Sequence, residues 1–359
     1  RKDFRKFPDF HFRMTEVLKV VPENNTVETD IGLIQYDYLV IATGTTTNFY
    51  GMQNIQAQAM PMKSVTEAMA LRTKLLVNLE KALTENEPDK RQRLLNITIV
   101  GGGATGVEIA GALAEMKHYV FQKDYPDLSA SLLNIYLIEG NPRLLAVMSE
   151  QASEKAKQFL SQMGVKILLD TKVTDYQHGN LLLEKGESIP TETVIWVSGV
   201  KANSLAGLPT ETMGHGGRIL TDEFNRVKNQ ANIFAIGDIC LITEKDYPNG
   251  HPQVAQVAIQ QGKLLAKNLM CLDQQKIMQP FHYKNLGTLA TVGRNKAVAD
   301  LPHYQTQGFI AWLLWTVVHL RSILGVRNRL EILLNWVWNY LTYDQAIRLI
   351  FKDQNKPTS

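Results

Sequence analysis

Gly101-Gly102-Gly103-Ala104-Thr105-Gly106-Val107-Glu108 follows the apolar run Ile97-Thr98-Ile99-Val100 and opens a helix-like stretch. Gly101, Gly103 and Gly106 have GxGxxG spacing, and a strand before with a helix after is the setting in which that spacing holds a dinucleotide. The first glycine permits a tight turn, the second lets backbone approach a pyrophosphate, and the third lets helix pack on strand. The helix N-terminus then offers N–H groups to the phosphates. Ile135-Tyr136-Leu137-Ile138 reads as the next strand, closed by Glu139. A carboxylate there accepts hydrogen bonds from an adenosine ribose and repels a 2′-phosphate, favouring NAD over NADP. The plainer reading is a residue that only ends a strand. The interval after Gly106 exceeds the usual ~20 residues, and Lys123-Asp124-Tyr125-Pro126 reads as a helix extension and loop within it.

The chain has 359 residues, 45% hydrophobic and 20% charged, as in a globular protein of two or three domains. A net charge of +3 is too small to imply nucleic acid. The surplus sits at the end: beyond Gly308, Arg321, Arg327, Arg329, Arg348, Lys352 and Lys356 face only Glu331, Asp344 and Asp353. Cys240 and Cys271 match neither a CxxC pair nor a zinc site, which suggests a reducing compartment. His251 and His319 have no second ligand at useful spacing, so no metal is expected.

Short strands are predicted over 12–42, a helix over 63–84, and a polar linker from Glu85 to Arg93. A helix over 150–163 ends at Gly164, strands alternate over 165–197, and a helix spans 252–270. Three strand ends share one pattern: Ala42-Thr43-Gly44, Trp196-Val197-Ser198-Gly199 and Ile236-Gly237-Asp238. Glycine after a buried strand lets a ligand approach the carboxyl edge of a sheet, and Asp238 there can accept hydrogen bonds from a polyol such as flavin ribitol. Gln256 and Gln260, four apart, share a helix face, either as solvated glutamines or as ligand contacts.

After Leu301-Pro302 the composition changes. Phe309 to Leu320 is apolar at ten of twelve positions, but as a helix it spans only about 18 Å, short of the ~30 Å hydrocarbon core. Asn328, Glu331, Asn335, Asn339 and Thr342 then form one narrow polar stripe on an otherwise apolar helix. Four of the five tryptophans lie here. Tryptophan and arginine suit a membrane surface; a helix pair forming a dimer core is the other reading.

Tyr36 to Gly44, the 101–108 loop, Asn232 to Asp238, Ala255-Gln256-Val257-Ala258-Ile259-Gln260-Gln261-Gly262 and Asn335-Trp336-Val337-Trp338-Asn339-Tyr340 together resemble the two-dinucleotide-binding-domain flavoproteins. Within them the chain is similar to the type II NADH dehydrogenases, single-subunit NADH:quinone oxidoreductases that do not pump protons. The resemblance implies an α/β fold with two Rossmann-like domains and a C-terminal amphipathic helical membrane module. It implies an FAD domain over 1–62 and 200–302, an NADH domain over 63–199 and membrane helices over 303–359. It further implies hydride transfer from NADH to FAD and electron transfer to a membrane quinone, ubiquinone or menaquinone. The cofactor residues are then Gly101, Gly103, Gly106, Glu139, Thr43, Gly44, Gly199, Gly237 and Asp238. Glu108 gains a proton-handling role in place of a carboxylate at a helix end, and Gln256, Ile259 and Gln260 become quinone residues. Arg294 and Lys296 are either surface charges or quinone guides. A homodimer is implied, held on lipid through 308–343 at the cytoplasmic face of the inner membrane.

The family's first glycine loop, for the FAD pyrophosphate, has no counterpart after Arg1, so an N-terminally truncated sequence is expected. A soluble NADH-dependent flavin reductase and a non-catalytic NAD-binding protein are the competing expectations.

Overall fold

The computed structural model describes residues 7–323 and 325–342. Arg348, Lys352 and Lys356 of the basic tail, and the end of the expected 303–359 and 308–343 segments, therefore lie outside the described residues, as do residues 1–6. The chain forms two compact units, Arg1–Thr46 with Val200–Asn285 and Thr47–Gly199 with Leu286–Ser359.

In chain order, the elements begin with strands β1 (Val17–Val21), β2 (Thr26–Thr29), β3 (Gly32–Gln35), β4 (Leu39–Ile41) and β5 (Thr45–Thr47). Helix α1 (Gln53–Gln58), β6 (Met60–Pro61) and α2 (Val65–Thr84) follow. The start of α2 is fixed by a capping box in which Ser64 accepts the Glu67 N–H and Glu67 accepts the Ser64 N–H. Next come α3 (Pro88–Leu95), β7 (Asn96–Val100) and α4 (Ala104–Glu115), which runs on through a π-helical stretch, Met116–Phe121, into the turn α5 (Gln122–Asp124). Then follow β8 (Asn134–Ile138), α6 (Glu150–Gln162), β9 (Lys166–Leu168), β10 (Val173–Gln177), β11 (Asn180–Leu183), β12 (Ser188–Pro190) and β13 (Thr193–Trp196). The last stretch holds β14 (Val200–Ala202), β15 (Ile219–Leu220), β16 (Ile233–Ala235), β17 (Cys240–Leu241), α7 (Ala255–Asp273), β18 (Thr288–Gly293), β19 (Lys296–Leu301), β20 (Tyr304–Gln307), α8 (Phe309–Ser322) and α9 (Val326–Thr342).

In the second unit a parallel sheet runs β6-β13-β7-β8-β9. Strand β7 is buried along its whole length, as a sheet covered on both faces demands. Ile97 and Ile99 pack with Leu71, Leu79, Val107 and Ala110 on the helical side. Val100, Ile138 and Trp196 pack on the other side with Tyr176, Leu181 and Leu183 of the β10–β12 meander. The sheet order reverses between β7 and β13, and α/β sheets bind ligands at the carboxyl ends of such a pair. A second, antiparallel sheet, β18–β20, lies against α4 and α8. Gly111 makes that approach possible: a Cβ there would stand 1.6 Å from the Val292 carbonyl oxygen. Ala297 and Ala299 of β19 likewise meet Ala311 of α8 through small side chains.

In the first unit β4 and β16 pair in parallel, Val40 opposite Phe234 and Ile41 opposite Ala235. Their carboxyl ends, Thr43-Gly44 and Gly237-Asp238, emerge side by side. Val257 of α7 is buried in the same core with Ile41, Ile233 and Ala235.

The structure departs from the sequence reading at three places. The Glu85–Arg93 stretch holds α3 instead of a linker, because Pro88 at its first turn has the φ a helix needs and Leu95 is buried at its end. Helix α7 starts at Ala255, not at Pro252. Pro302 lies in the turn between β19 and β20, where Leu301 pairs with Tyr304; the units part at 285/286 instead. The composition does change near Pro302, but α8 packs on the very sheet that precedes it.

Candidate functional site

The glycine loop leaves β7 at the sheet's reversal point. Gly106 is packed so closely that a Cβ would stand 1.8 Å from the Gly101 carbonyl oxygen. Gly103 borders open space, since a Cβ there would meet nothing within 4 Å, and no side chain caps the helix start. An anion has room there against the positive end of α4. Glu139 arrives from β8 and accepts the Gly102 N–H. Its other oxygen accepts the Asn141 N–H at 2.8 Å and the Asn141 side-chain amide at 2.6 Å. The carboxylate is thus held beside the loop, with an acceptor site left on the oxygen that meets Gly102 for a ribose hydroxyl.

The three expected strand ends separate. Thr43, Gly44, Gly237 and Asp238 come together in the first unit. Gly199 follows β13 in the second, next to the loop, since Trp196 pairs with Val100 and a Cβ on Gly101 would stand 2.7 Å from the Val197 carbonyl oxygen. In the first unit the Thr45 hydroxyl donates to Asp238 at 3.1 Å, and the partly exposed carboxylate keeps acceptor capacity. The Gly237 N–H donates to the Gln261 side chain at 2.7 Å. A Cβ on Gly237 would stand 3.2 Å from that of Ala258, so this turn meets the start of α7. Neighbouring strand ends, a held carboxylate and a helix start fit the polyol and ring of a flavin dinucleotide. Sequence reasoning passes over buried Gln261, whose signal is its place five residues after Gln256 on the inward face of α7.

On α7 the exposed Ile259 and half-buried Gln256 lie near the helix start. Gln260 is engaged at both ends of its amide: its NH2 donates to the Lys284 carbonyl at 2.9 Å and its oxygen accepts the Lys284 N–H at 3.0 Å.

Glu108 lies in the second unit on the wall of a cavity of about 540 Å³. Glu108, Ala112 and Glu115 form one stripe of α4, continued by Met116, facing it opposite Arg294, Trp312, Trp315 and Tyr340. Burial raises the Glu108 carboxyl above the ordinary carboxylate range, against smaller opposing effects of the Thr291 N–H, His319 and Trp315. The Thr291 N–H lies 3.4 Å from the carboxyl, a long hydrogen bond. The buried Trp315 indole N–H faces the carboxyl but makes no hydrogen bond of ordinary geometry. A carboxyl whose proton is held more tightly in this way, on a largely apolar wall, is suited to exchange a proton with a ligand.

Arg294 closes one side of this cavity. Its backbone N–H donates to Glu115, its guanidinium donates to the Tyr340 carbonyl, and the guanidinium carbon lies 3.8 Å from the Tyr340 ring centre. Arg294 is therefore a wall of the site. Its partners lie far away in sequence, which is why the sequence leaves its role open.

Helices α8 and α9 close the cavity with Trp312, Trp315 and Trp336, while Phe309, Ile310, Leu330, Leu334 and Trp338 are exposed. Among the described residues no helix is long and apolar enough to cross a membrane.

A glycine loop at a sheet reversal and a second site of strand ends under a helix start define the pyridine nucleotide-disulphide oxidoreductase class, and residues 7–262 match that family. Residues 285–343 match the NDH2 C-terminal domain. The type II NADH:quinone oxidoreductase Ndh of Mycobacterium tuberculosis is 30% identical over 318 residues, covering 86% of this chain and 67% of its own length. The internal alternative NAD(P)H-ubiquinone oxidoreductase A1 of Arabidopsis thaliana mitochondria is 30% identical over 326 residues, covering 86% of this chain and 63% of its own. The chain thus spans about two thirds of the length of these relatives. NDH2 from Plasmodium falciparum, solved in complex with NADH, shares the fold with a TM-score of 0.84 at 22% identity, over 94% of this chain and 85% of that one. The chain belongs to the type II NADH:quinone oxidoreductase family.

Proposed function

We propose that this chain catalyses the oxidation of NADH by a quinone, with Glu108 as the proton donor to the quinone. NADH and FAD are the cofactors. The 101–106 loop and Glu139 hold NADH, with Gly199 bordering the loop. Thr43, Gly44, Gly237 and Asp238 hold FAD. When bound, the flavin accepts hydride from the nicotinamide and passes two electrons to the quinone. Glu108 supplies a proton that the reduced quinone needs. The observation that carries this reading is the half-buried Glu108 carboxyl on the wall of an aromatic-lined cavity large enough for a quinone ring. Gln256, Ile259 and Gln260 of α7 are further quinone residues; Gln260 would act through its hold on Lys284.

The exposed apolar faces of α8 and α9 rest on a lipid surface in this reading, at the cytoplasmic side of the inner membrane, in a homodimer. Arg321, Arg327 and Arg329 suit anionic lipid. A soluble flavin reductase whose tail only pairs subunits is the competing reading, and flotation with vesicles separates the two.

Stopped-flow measurement of each half-reaction in the flavin-loaded full-length enzyme tests the Glu108 role. Glu108→Gln slows quinone reduction by about a hundredfold, the usual worth of a general acid, and slows flavin reduction by NADH far less. Equal rates of quinone reduction in the two proteins would overturn it.

A further inference from the structure

The reversing strands give a bound dinucleotide a direction. The sheet runs β13-β7-β8 across this point. With the adenosine ribose on Glu139 after β8 and the pyrophosphate on the loop after β7, the far end of the dinucleotide is carried across the carboxyl edge to the end of β13. Val197, Ser198 and Gly199 follow β13 there.

Tyr50 is the side chain that meets this strand end. A Cβ on Gly199 would stand 2.3 Å from the Tyr50 hydroxyl oxygen and 3.3 Å from its Cζ. The tip of the phenol therefore rests on bare Gly199 backbone. Two residues back, the Val197 carbonyl lies against Gly101, where a Cβ would stand 2.7 Å from its oxygen. The phenol and the glycine loop thus flank one short stretch of chain, 197–199, within the second unit.

The segment that carries Tyr50 is bolted to β13 without help from the Tyr50 side chain. The Trp196 indole N–H donates to the Asn48 carbonyl at 2.8 Å, and the Asn48 N–H donates to the Gly199 carbonyl at 3.2 Å. The Phe49 ring stacks on the Trp196 indole with centres 6.2 Å apart. The Asn48 side chain accepts the Tyr50 N–H at 2.9 Å, and the Met52 N–H donates to the Phe49 carbonyl at 3.0 Å. This turn holds Tyr50 at φ 51° and Gly51 at φ 79°. Two positive φ values mark a type I′ turn, whose first central position suits Asn, Asp or Gly. A bulky aromatic residue there is a backbone outlier. Burial does not compensate it, because Tyr50 is 60% exposed. A strained residue that holds an exposed ring over a ligand edge points to a task at that edge.

We infer that Tyr50 is a nicotinamide-positioning residue, its ring lying against the nicotinamide end of NADH. This rests on the reading of the 101–106 loop and Glu139 as the NADH site. Hydride leaves from one face of the nicotinamide, so the opposite face is free to lie on a protein ring. A phenol offers a flat π face for that contact, and the oxidised, cationic nicotinamide is attracted to the same face.

Calorimetry on the oxidised, flavin-loaded full-length enzyme tests this with two ligands that do not reduce flavin. One is NAD+. The other is ADP-ribose, which keeps the adenosine, pyrophosphate and second ribose and lacks the nicotinamide. Tyr50→Asn is the main variant, because asparagine suits the turn and carries no ring. Its Kd for NAD+ should rise by about fivefold, while its Kd for ADP-ribose stays within about twofold of wild type. Its melting temperature should be no lower than wild type, since the strained aromatic position is relieved. Tyr50→Phe keeps the ring and should bind both ligands as wild type does. An unchanged ratio of the two Kd values in Tyr50→Asn overturns the inference, and so does a Tyr50→Phe protein as weak for NAD+ as Tyr50→Asn. Glu139→Ala separates this from the NADH reading, because it should weaken both ligands alike. If it weakens neither, the NADH reading itself falls. If it weakens both while Tyr50→Asn keeps the wild-type ratio, only the role of Tyr50 falls.

Discussion

Gly111 of α4 lies with its Cα against the carbonyl of Val292 of β18, so close that a Cβ would stand 1.6 Å from the oxygen. Backbone meets backbone here, and neither element can yield by turning a side chain. Gly111→Ala should therefore force α4 away from β18 and destabilise the fold by about 1–3 kcal/mol, the usual cost of overpacking. Chemical denaturation reads this directly. A variant as stable as wild type would mean that α4 slides at no cost.

Glu139 should set coenzyme preference. Glu139→Gln removes the like charge that a 2′-phosphate meets and should raise kcat/KM for NADPH relative to NADH by about tenfold, equivalent to roughly 1.4 kcal/mol. The two coenzymes are compared in one steady-state assay. An unmoved ratio would leave Glu139 as no more than the acceptor for Gly102 and Asn141.

Glu108 should leave a mark on stability against pH. Burial raises its carboxyl in the folded chain above the ordinary value of 4.5. The folded state therefore holds the proton to higher pH than the unfolded state does. Its contribution is fully present below 4.5 and is lost as pH rises through the raised value. Melting temperatures from pH 4.5 to 8 should fall more steeply in wild type than in Glu108→Gln. Parallel curves would mean that the carboxyl is as well solvated folded as unfolded.

Gln256→Ala should slow flavin reoxidation by quinone more than flavin reduction by NADH, because α7 belongs to the first unit and the NADH loop to the second. Stopped-flow traces of the two half-reactions decide this. Equal slowing would show that Gln256 acts on flavin placement in general.

The exposed face of α8 and α9 should govern binding to lipid. Leu330 and Leu334 are 57% and 59% exposed. Replacing both by Glu should weaken binding to anionic vesicles by about tenfold or more, since each buried side chain contributes ~1.5–3 kcal/mol. Ile277→Glu is the control, at a residue 93% exposed in the other unit. Similar losses from all these changes would indicate adsorption governed by net charge alone.

The glycine loop is legible in the chain because every part of its meaning is local: strand, three glycines, helix, then a second strand closed by Glu139. The 63–84 helix is legible for the same reason, though its Ser64 and Glu67 cap appears only in the structure. Helix α3 is not, because half of its eight residues are charged and Pro88 reads as part of a polar linker when it starts a helix. The cavity could not be read from the chain. Glu108, Arg294, Trp315 and Tyr340 are brought together by the folding of β18–β20 against α4, and no spacing records that. Gln260 looks like a ligand contact by its phase on α7, yet its amide is spent on Lys284, a partner 24 residues away.

The cavity has a consequence for selective inhibition. Its floor is a stripe of the same α4 that opens at the nucleotide loop, while its roof comes from α8 and α9. An enzyme that uses the same coenzyme loop but lacks those two helices has the floor and no roof. A compound shaped to fill this chamber, aromatic enough to lie between Trp312, Trp315 and Tyr340, would owe its affinity to the roof. It would compete with no nucleotide and so would spare the many other proteins that share the coenzyme.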